Sequence, residues 1–239
     1  MTAPDANQLR ERLHAVRVRI EAAAHRSGRS AQEIKLIAVT KTHPAEVLRQ
    51  AIDEGLSELG ENRVQEAEAK ITEVGRVAAR WHLIGHLQSN KVRRAVQLFD
   101  VIHSLDSAAL ARKLDRACKA EGRSQLPVLI QVDLGHEPTK SGVVENELSK
   151  LIQTVKQCQA LRFVGLMTLP PYFEKAELAR PYFVKLRELR DRLVEQRAFG
   201  DGDGELSMGM THDFEIAIEE GATMIRVGTA IFGDRKKQD

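Results

Sequence analysis

The chain has 239 residues, a hydrophobic fraction of 42%, and 36 Lys+Arg against 34 Asp+Glu. That balance excludes a wholly disordered chain, and a net charge of +2 without a long basic block gives no general attraction for nucleic acid or an anionic membrane. Two cysteines, Cys118 and Cys158, cannot build a disulfide scaffold, the N-terminal segment has no apolar core of signal-peptide length, and no run of about 20 apolar residues would span a bilayer, so a reducing, cytoplasmic setting is expected.

Residues 6–27 predict an amphipathic helix, because Leu9, Leu13, Val16, Ile20 and Ala23 fall at alternating four- and three-residue steps along one face, with Asp5 as a cap. Strand and helix then alternate. Residues 34–40 form a short β-branched run, and 45–54 a helix with Pro44 at its first turn and Gly55 just past its end. A strand at 56–59 precedes a helix at 63–74, a strand at 81–84 precedes a helix at 88–98, and a strand at 100–104 precedes a helix at 108–121. The fifth strand, 127–133, is continuously apolar, as in a sheet buried on both faces. Next come a helix at 145–158, a strand at 162–168, a long charged helix at 174–196 and a weak strand at 205–207, with a surface loop at 199–204. A helix at 213–220, closed by Gly221, and a strand at 223–227 complete the series. Eight strands alternating with helices predict one α/β domain over residues 1–239: a (β/α)8 barrel at 34–233 preceded by an extra helix at 6–28. An open doubly wound sheet would carry a Gly-rich turn after its first strand, where TKTHPAE stands instead.

Function in such barrels gathers at the carboxyl ends of the strands. There stand Lys41 after the first strand, Asn62 after the second, His86 after the third, His103 and Ser104 after the fourth, and Asp133, His136 and Lys140 after the fifth. Thr168 stands after the sixth, Ser207 after the seventh, and Arg226, Gly228 and Thr229 after the eighth. Closing the barrel sets strand eight against strand one, and so brings Arg226 near Lys41. Ser207 and the Gly228–Thr229 turn occupy the strands where barrels commonly bind a phosphate, and glycine lets backbone N–H groups approach an anion. A lysine in such a mouth, partly buried beside a cation, suits imine chemistry with a carbonyl. A phosphate-bearing aldehyde satisfies every part; pyridoxal phosphate is one, and a sugar phosphate handled by a Schiff-base aldolase is another. Ser207, Gly228 and Thr229 also read as plain turn residues, and Asn62 as a cap for the helix at 63–74. No metal site is expected. His82 and His86 lie in strand-like context, and the acidic run at Asp201, Asp203 and Glu205 has Leu206 where a calcium loop needs glycine.

The motifs LIAVTKTHPAE (36–46), LGENRVQEAEAK (59–70), WHLIGHLQSNKVR (81–93), VLIQVDLG with TKSGV (128–143), GLMTLPP (165–171) and LSMGMTHDFEIAIEEGATMIRVGTAIFG (206–233) occur in this order. Together they resemble the pyridoxal phosphate homeostasis protein family, single-domain barrels similar to the N-terminal domain of bacterial alanine racemase, over about residues 6–235. The resemblance implies pyridoxal 5'-phosphate as cofactor, held by Lys41 as a Schiff base, with Arg226 facing the pyridine nitrogen. It likewise implies Ser207, Gly228 and Thr229 as phosphate ligands, Asn62 lining the pocket, and Lys140 as a second lysine near the mouth. An arginine keeps the ring nitrogen unprotonated and blunts it as an electron sink. The expected role is therefore to bind the cofactor and buffer or deliver it to apo-enzymes in vitamin B6 homeostasis, as a monomer, without robust turnover. The alternative is an amino-acid racemase-like enzyme, with His82, His86 or a partner chain supplying the second base.

Overall fold

A computed structural model describes residues 6–135, 137 and 141–233. The apolar, β-branched runs form eight parallel strands: β1 (Lys35–Val39), β2 (Glu58–Glu61), β3 (Arg80–Leu83), β4 (Val101–Leu105), β5 (Leu126–Gln131), β6 (Leu161–Met167), β7 (Glu205–Met210) and β8 (Met224–Val227). They close in sequence order, β8 pairing with β1 through Ile37↔Arg226 and Ala38↔Val227. Closure satisfies the ladder on every strand and removes sheet edges. Around it lie α1 (Ala6–Arg26), α2 (Ala45–Asp53), α3 (Val64–Val74), α4 (Val92–Leu98), α5 (Ala108–Ala120), α6 (Glu145–Gln157), α7 (Arg180–Glu195), α8 (Phe214–Glu219) and α9 (Thr229–Phe232). The fold is the expected (β/α)8 barrel.

Side chains alternate across each strand, so the barrel has two apolar layers. The outer one, between strands and helices, buries Trp81, Phe99, Phe183 and Phe214 completely. The inner one is a small separate cluster of Ile37, Val101, Leu129, Met167 and Met224. The stripe read on α1 is buried as expected, from Leu9 to Ala23, and packs this helix on α8 and α9. Each such aliphatic side chain contributes about 1.5–3 kcal/mol on burial. Among the described residues, no helix is long and apolar enough to cross a membrane.

Several boundaries differ from the sequence reading; β2 lies at Glu58–Glu61 rather than 56–59, and β5 at Leu126–Gln131 rather than 127–133. β7 runs on to Met210 rather than stopping at Ser207, because Gly209 takes a left-handed φ of 88° and lets the strand pass close over Ala217 and Phe214. α7 starts at Arg180, not at residue 174; Pro181 lies in its first turn, where a missing N–H costs nothing. A 3-10 turn at Ser89–Lys91 precedes α4, and the short α9 has no counterpart in the sequence reading. The loop at 199–204 is pinned by Phe199, whose ring packs on Phe163 at 4.7 Å. Asp5, His136 and Lys140 lie outside the described residues.

Candidate functional site

A cavity of about 570 Å³ opens at the carboxyl ends of the strands. Lys41, Asn62, Arg226, Gly228 and Thr229 line it; Ser207 does not. The pairing of β8 with β1 unites Arg226 and Lys41 across 185 positions of sequence (226 − 41). Gln131, Thr211, His86, Ser141 and Tyr172 complete much of the wall.

The lysine wall is built from β1, β2 and α3. Lys41 is half-buried in the turn after β1. The turn is gripped on both sides: Lys70 Nζ, from α3, donates to the carbonyl of Thr40 (2.7 Å), and the Thr42 N–H donates to Glu66. Thr42 has φ 69°, a left-handed conformation that a β-branched residue avoids unless its surroundings impose it. Lys70 also bonds Glu61 Oε1 and Glu66 Oε1, both at 2.7 Å, and Thr40 Oγ1 donates to Glu61 at 2.5 Å. Burial pushes the Glu61 carboxyl above its usual range against the pull of Lys70. Burial pushes Glu66 up as well, but its bonds from Lys70 and the Thr42 N–H outweigh that and hold it below. Asn62 lines the cavity, while the residue before α3 is Arg63, whose side chain makes no cap bond. Gly85 lies so close that a Cβ there would come within 2.3 Å of the Asn62 carbonyl oxygen; only glycine lets the loop after β3 pack on this turn.

The arginine wall is built differently. Arg226 is 3% exposed and donates to Ser207 Oγ (2.6 Å) and to the Thr168 carbonyl (2.9 Å). Burial lowers its guanidinium to about 10, with Asp213 as the opposing charge, so it remains a cation at neutral pH. Asp213 in turn accepts from the Met210 N–H at 2.6 Å and closes the turn after β7. Ser207 is fully buried in mid-strand beneath the cavity. The longer β7 explains the displacement: the residue at the carboxyl end of that strand is Thr211.

Thr211 is the hydroxyl that the sequence reading missed. Its Oγ1 accepts from the N–H groups of Gly228 (3.3 Å) and Ala230 (3.4 Å), at the turn from β8 into α9. Those bonds are long, and the same N–H groups suit a stronger acceptor. Thr211, Gly228 and the exposed Thr229 thus form a cup of hydroxyl and N–H groups at one end of the cavity. The available signal was the alternation along LSMGMTHD, had the strand been carried through Gly209. On the opposite rim, His86 Nδ1 lies 3.1 Å from Ser141 Oγ and 3.3 Å from Asp106 Oδ2. A half-buried amine, a buried guanidinium and a cup of hydroxyls and N–H groups in one cavity match the carbonyl, ring nitrogen and phosphate of a pyridoxal phosphate molecule.

Comparison with known proteins identifies the class of pyridoxal-phosphate barrels to which this fold belongs. The alanine racemase N-terminal domain family matches residues 12–236. The pyridoxal phosphate homeostasis protein of Aquifex aeolicus is 46% identical over 95% of this chain and 98% of its own length. That of Escherichia coli K12 is 42% identical over 96% and 97%. PipY of Synechococcus elongatus, solved without PLP, has a TM-score of 0.83 at 40% identity and covers 94% of this chain and 100% of its own. PipY solved with PLP bound has a TM-score of 0.81 at the same identity and coverage. The chain belongs to the pyridoxal phosphate homeostasis proteins, within the alanine racemase N-terminal domain family.

Proposed function

We propose that this chain binds pyridoxal 5'-phosphate at the barrel mouth as a Schiff base on Lys41, and holds it for release to apo-enzymes rather than turning over a substrate. The observation that carries the reading is that Lys41, in the turn after β1, and Arg226, on the hydrogen-bonded neighbour β8, line one cavity ending in the Thr211–Gly228–Thr229 cup. PipY with PLP bound, 40% identical, and the homeostasis names of the relatives support it. Bound cofactor supplies an aldehyde that condenses with an amine, forming C=N and releasing water.

The chain's own residues position and tune the groups around that aldehyde. Lys70 and Glu66 hold the backbone that carries Lys41. Arg226, a cation with donors only, leaves a ring nitrogen facing it unprotonated, which disfavours carbanion chemistry. Thr211 and the Gly228 N–H would hold the cofactor's phosphate. Ser207, the phosphate ligand expected from sequence, acts instead from beneath, on Arg226.

The test is an absorbance spectrum of the purified protein before and after borohydride, with mass mapping of the reduced lysine. A near-visible band that collapses to leave a pyridoxyl adduct on Lys41, and that is lost in Lys41→Ala, is the expected result. No band and no adduct after added pyridoxal phosphate would overturn the reading. Incubation with L-alanine and resolution of the enantiomers tests turnover: racemisation abolished by Lys41→Ala would replace the holder with an enzyme.

A further inference from the structure

Beneath the cavity, buried polar residues form one file across the barrel interior. Arg226 Nη1 donates to Ser207 Oγ (2.6 Å), Ser207 Oγ meets His103 Nδ1 (2.9 Å), and His103 Nε2 meets His82 Nδ1 (2.8 Å). His82 Nε2 then meets Glu58 Oε2. Ser207 and His103 are fully buried and His82 is 1% exposed. Glu58, the first residue of β2, keeps 20% of its side chain exposed at the end of the barrel opposite the mouth. Strands β8, β7, β4, β3 and β2 thus each supply one member, through a layer otherwise filled by Ile37, Val101, Leu129, Met167 and Met224. Two imidazoles and a hydroxyl at such depth are costly unless every donor and acceptor is matched.

The matching fixes a direction. Arginine only donates, so Ser207 Oγ accepts from Arg226, and its own O–H is left to donate to His103 Nδ1. The His103 proton is then on Nε2 and is donated to His82 Nδ1, which puts the His82 proton on Nε2, directed at the Glu58 carboxylate. In the reverse order Ser207 would accept twice, and its buried O–H would have no acceptor among the described residues. The surroundings agree. Burial holds the His103 imidazole well below its ordinary value, and His82, Arg226, Arg80 and Lys35, which face it, oppose a further proton. Lys35 itself is paired with Glu205, and Asp213 acts on Arg226 as an opposing charge.

We infer that Ser207, His103, His82 and Glu58 are positioning residues for Arg226, a one-way hydrogen-bonded file that ends on a carboxylate and sets the guanidinium's orientation and field at the cofactor cavity. The inference rests on the proposed cofactor site. It makes Glu58, at the far end of the barrel, a determinant of how the cofactor is held.

Two measurements test it. In the ligand-free protein at about pH 7, nitrogen-resolved NMR should find both histidines neutral with the proton on Nε2. A proton on His103 Nδ1, or a doubly protonated His82, would overturn the direction and the inference with it. In cofactor titrations, Glu58→Ala should weaken binding about tenfold and shift the absorbance maximum, and Glu58→Gln, which keeps an acceptor, should recover most of the loss. Unchanged affinity and spectrum in Glu58→Ala would also overturn it. His82→Phe, which keeps ring volume and breaks the file, reads the same effect if Glu58→Ala fails to fold. If the wild type takes up no pyridoxal phosphate, the cofactor site falls, while the NMR measurement still decides the file.

Discussion

On the β1–β2 side of the mouth, a buried ammonium is surrounded by opposite charge: Lys70 binds Glu61, Glu66 and the Thr40 carbonyl. On the β7–β8 side, a buried guanidinium hydrogen-bonds neutral partners, the Ser207 hydroxyl and the Thr168 carbonyl; its file reaches a carboxylate only at Glu58, and Asp213 acts on it as an opposing charge. The first wall fixes a backbone turn that presents a reactive amine. The second fixes the cation itself and leaves its charge directed at the cavity. A contact ion pair immobilises but neutralises; a file of neutral hydrogen bonds immobilises while sparing the field.

Breaking the ionic wall should have the largest effect. Lys70→Met strands Glu61 without its counter-charge and should cost about 3–5 kcal/mol in urea unfolding, with much of that recovered by adding Glu61→Leu. A loss within about 0.5 kcal/mol would mean that surface-like screening reaches this pair. Breaking the neutral wall should cost less. Ser207→Ala leaves a guanidinium N–H and an imidazole nitrogen unpaired, for about 1–3 kcal/mol by the same assay.

Acidity sharpens the contrast at one residue of each wall, because Glu61 and His103 respond with opposite sign. Glu61 is raised from 4.5, so between 4.5 and its raised value the folded form holds more of its proton than the unfolded chain; its contribution is complete below 4.5 and is lost as pH rises through the raised value. His103 is lowered from 6.5, so its contribution is complete above 6.5 and is lost as pH falls, by at most about 1.4 kcal/mol per pH unit. Unfolding free energies measured against pH should therefore lose a rising slope below 6.5 in His103→Asn and a falling slope above 4.5 in Glu61→Gln. Equal slopes in all three proteins would remove the distinction. The smallest expected effect is at the cup: Thr211→Val should weaken cofactor binding about fivefold and Thr211→Ser should restore it, as read by absorbance titration.

Much of this arrangement is legible in the sequence. Alternating apolar runs and helical stripes identify the barrel because burial on both sheet faces imposes them. Of the residues read at strand ends, Lys41, Asn62, Arg226, Gly228 and Thr229 reach the cavity, whereas His103, Ser104 and Thr168 do not. Ser207 fails as a cavity residue because β7 runs on through a glycine-containing stretch that reads as a turn. Thr211 escapes notice for the same reason. The Lys70 network is invisible in the sequence, since nothing in the helix at 63–74 shows that Lys70 reaches the carbonyl of Thr40 in the turn after β1. His82 and His103, twenty-one positions apart, become neighbours only through the adjacency of β3 and β4.

The period of each element, the number of strands and the residue types at their ends follow from the chain's local pattern, because these depend on local propensity and on which side chains avoid water. Which hydroxyl reaches the cavity, which lysine supports Lys41, and how Arg226 is held emerge once the barrel closes. Those outcomes depend on strand register and on distances between side chains far apart in the chain, and hydrogen bonding in a dry interior discriminates between positions only a few ångströms apart.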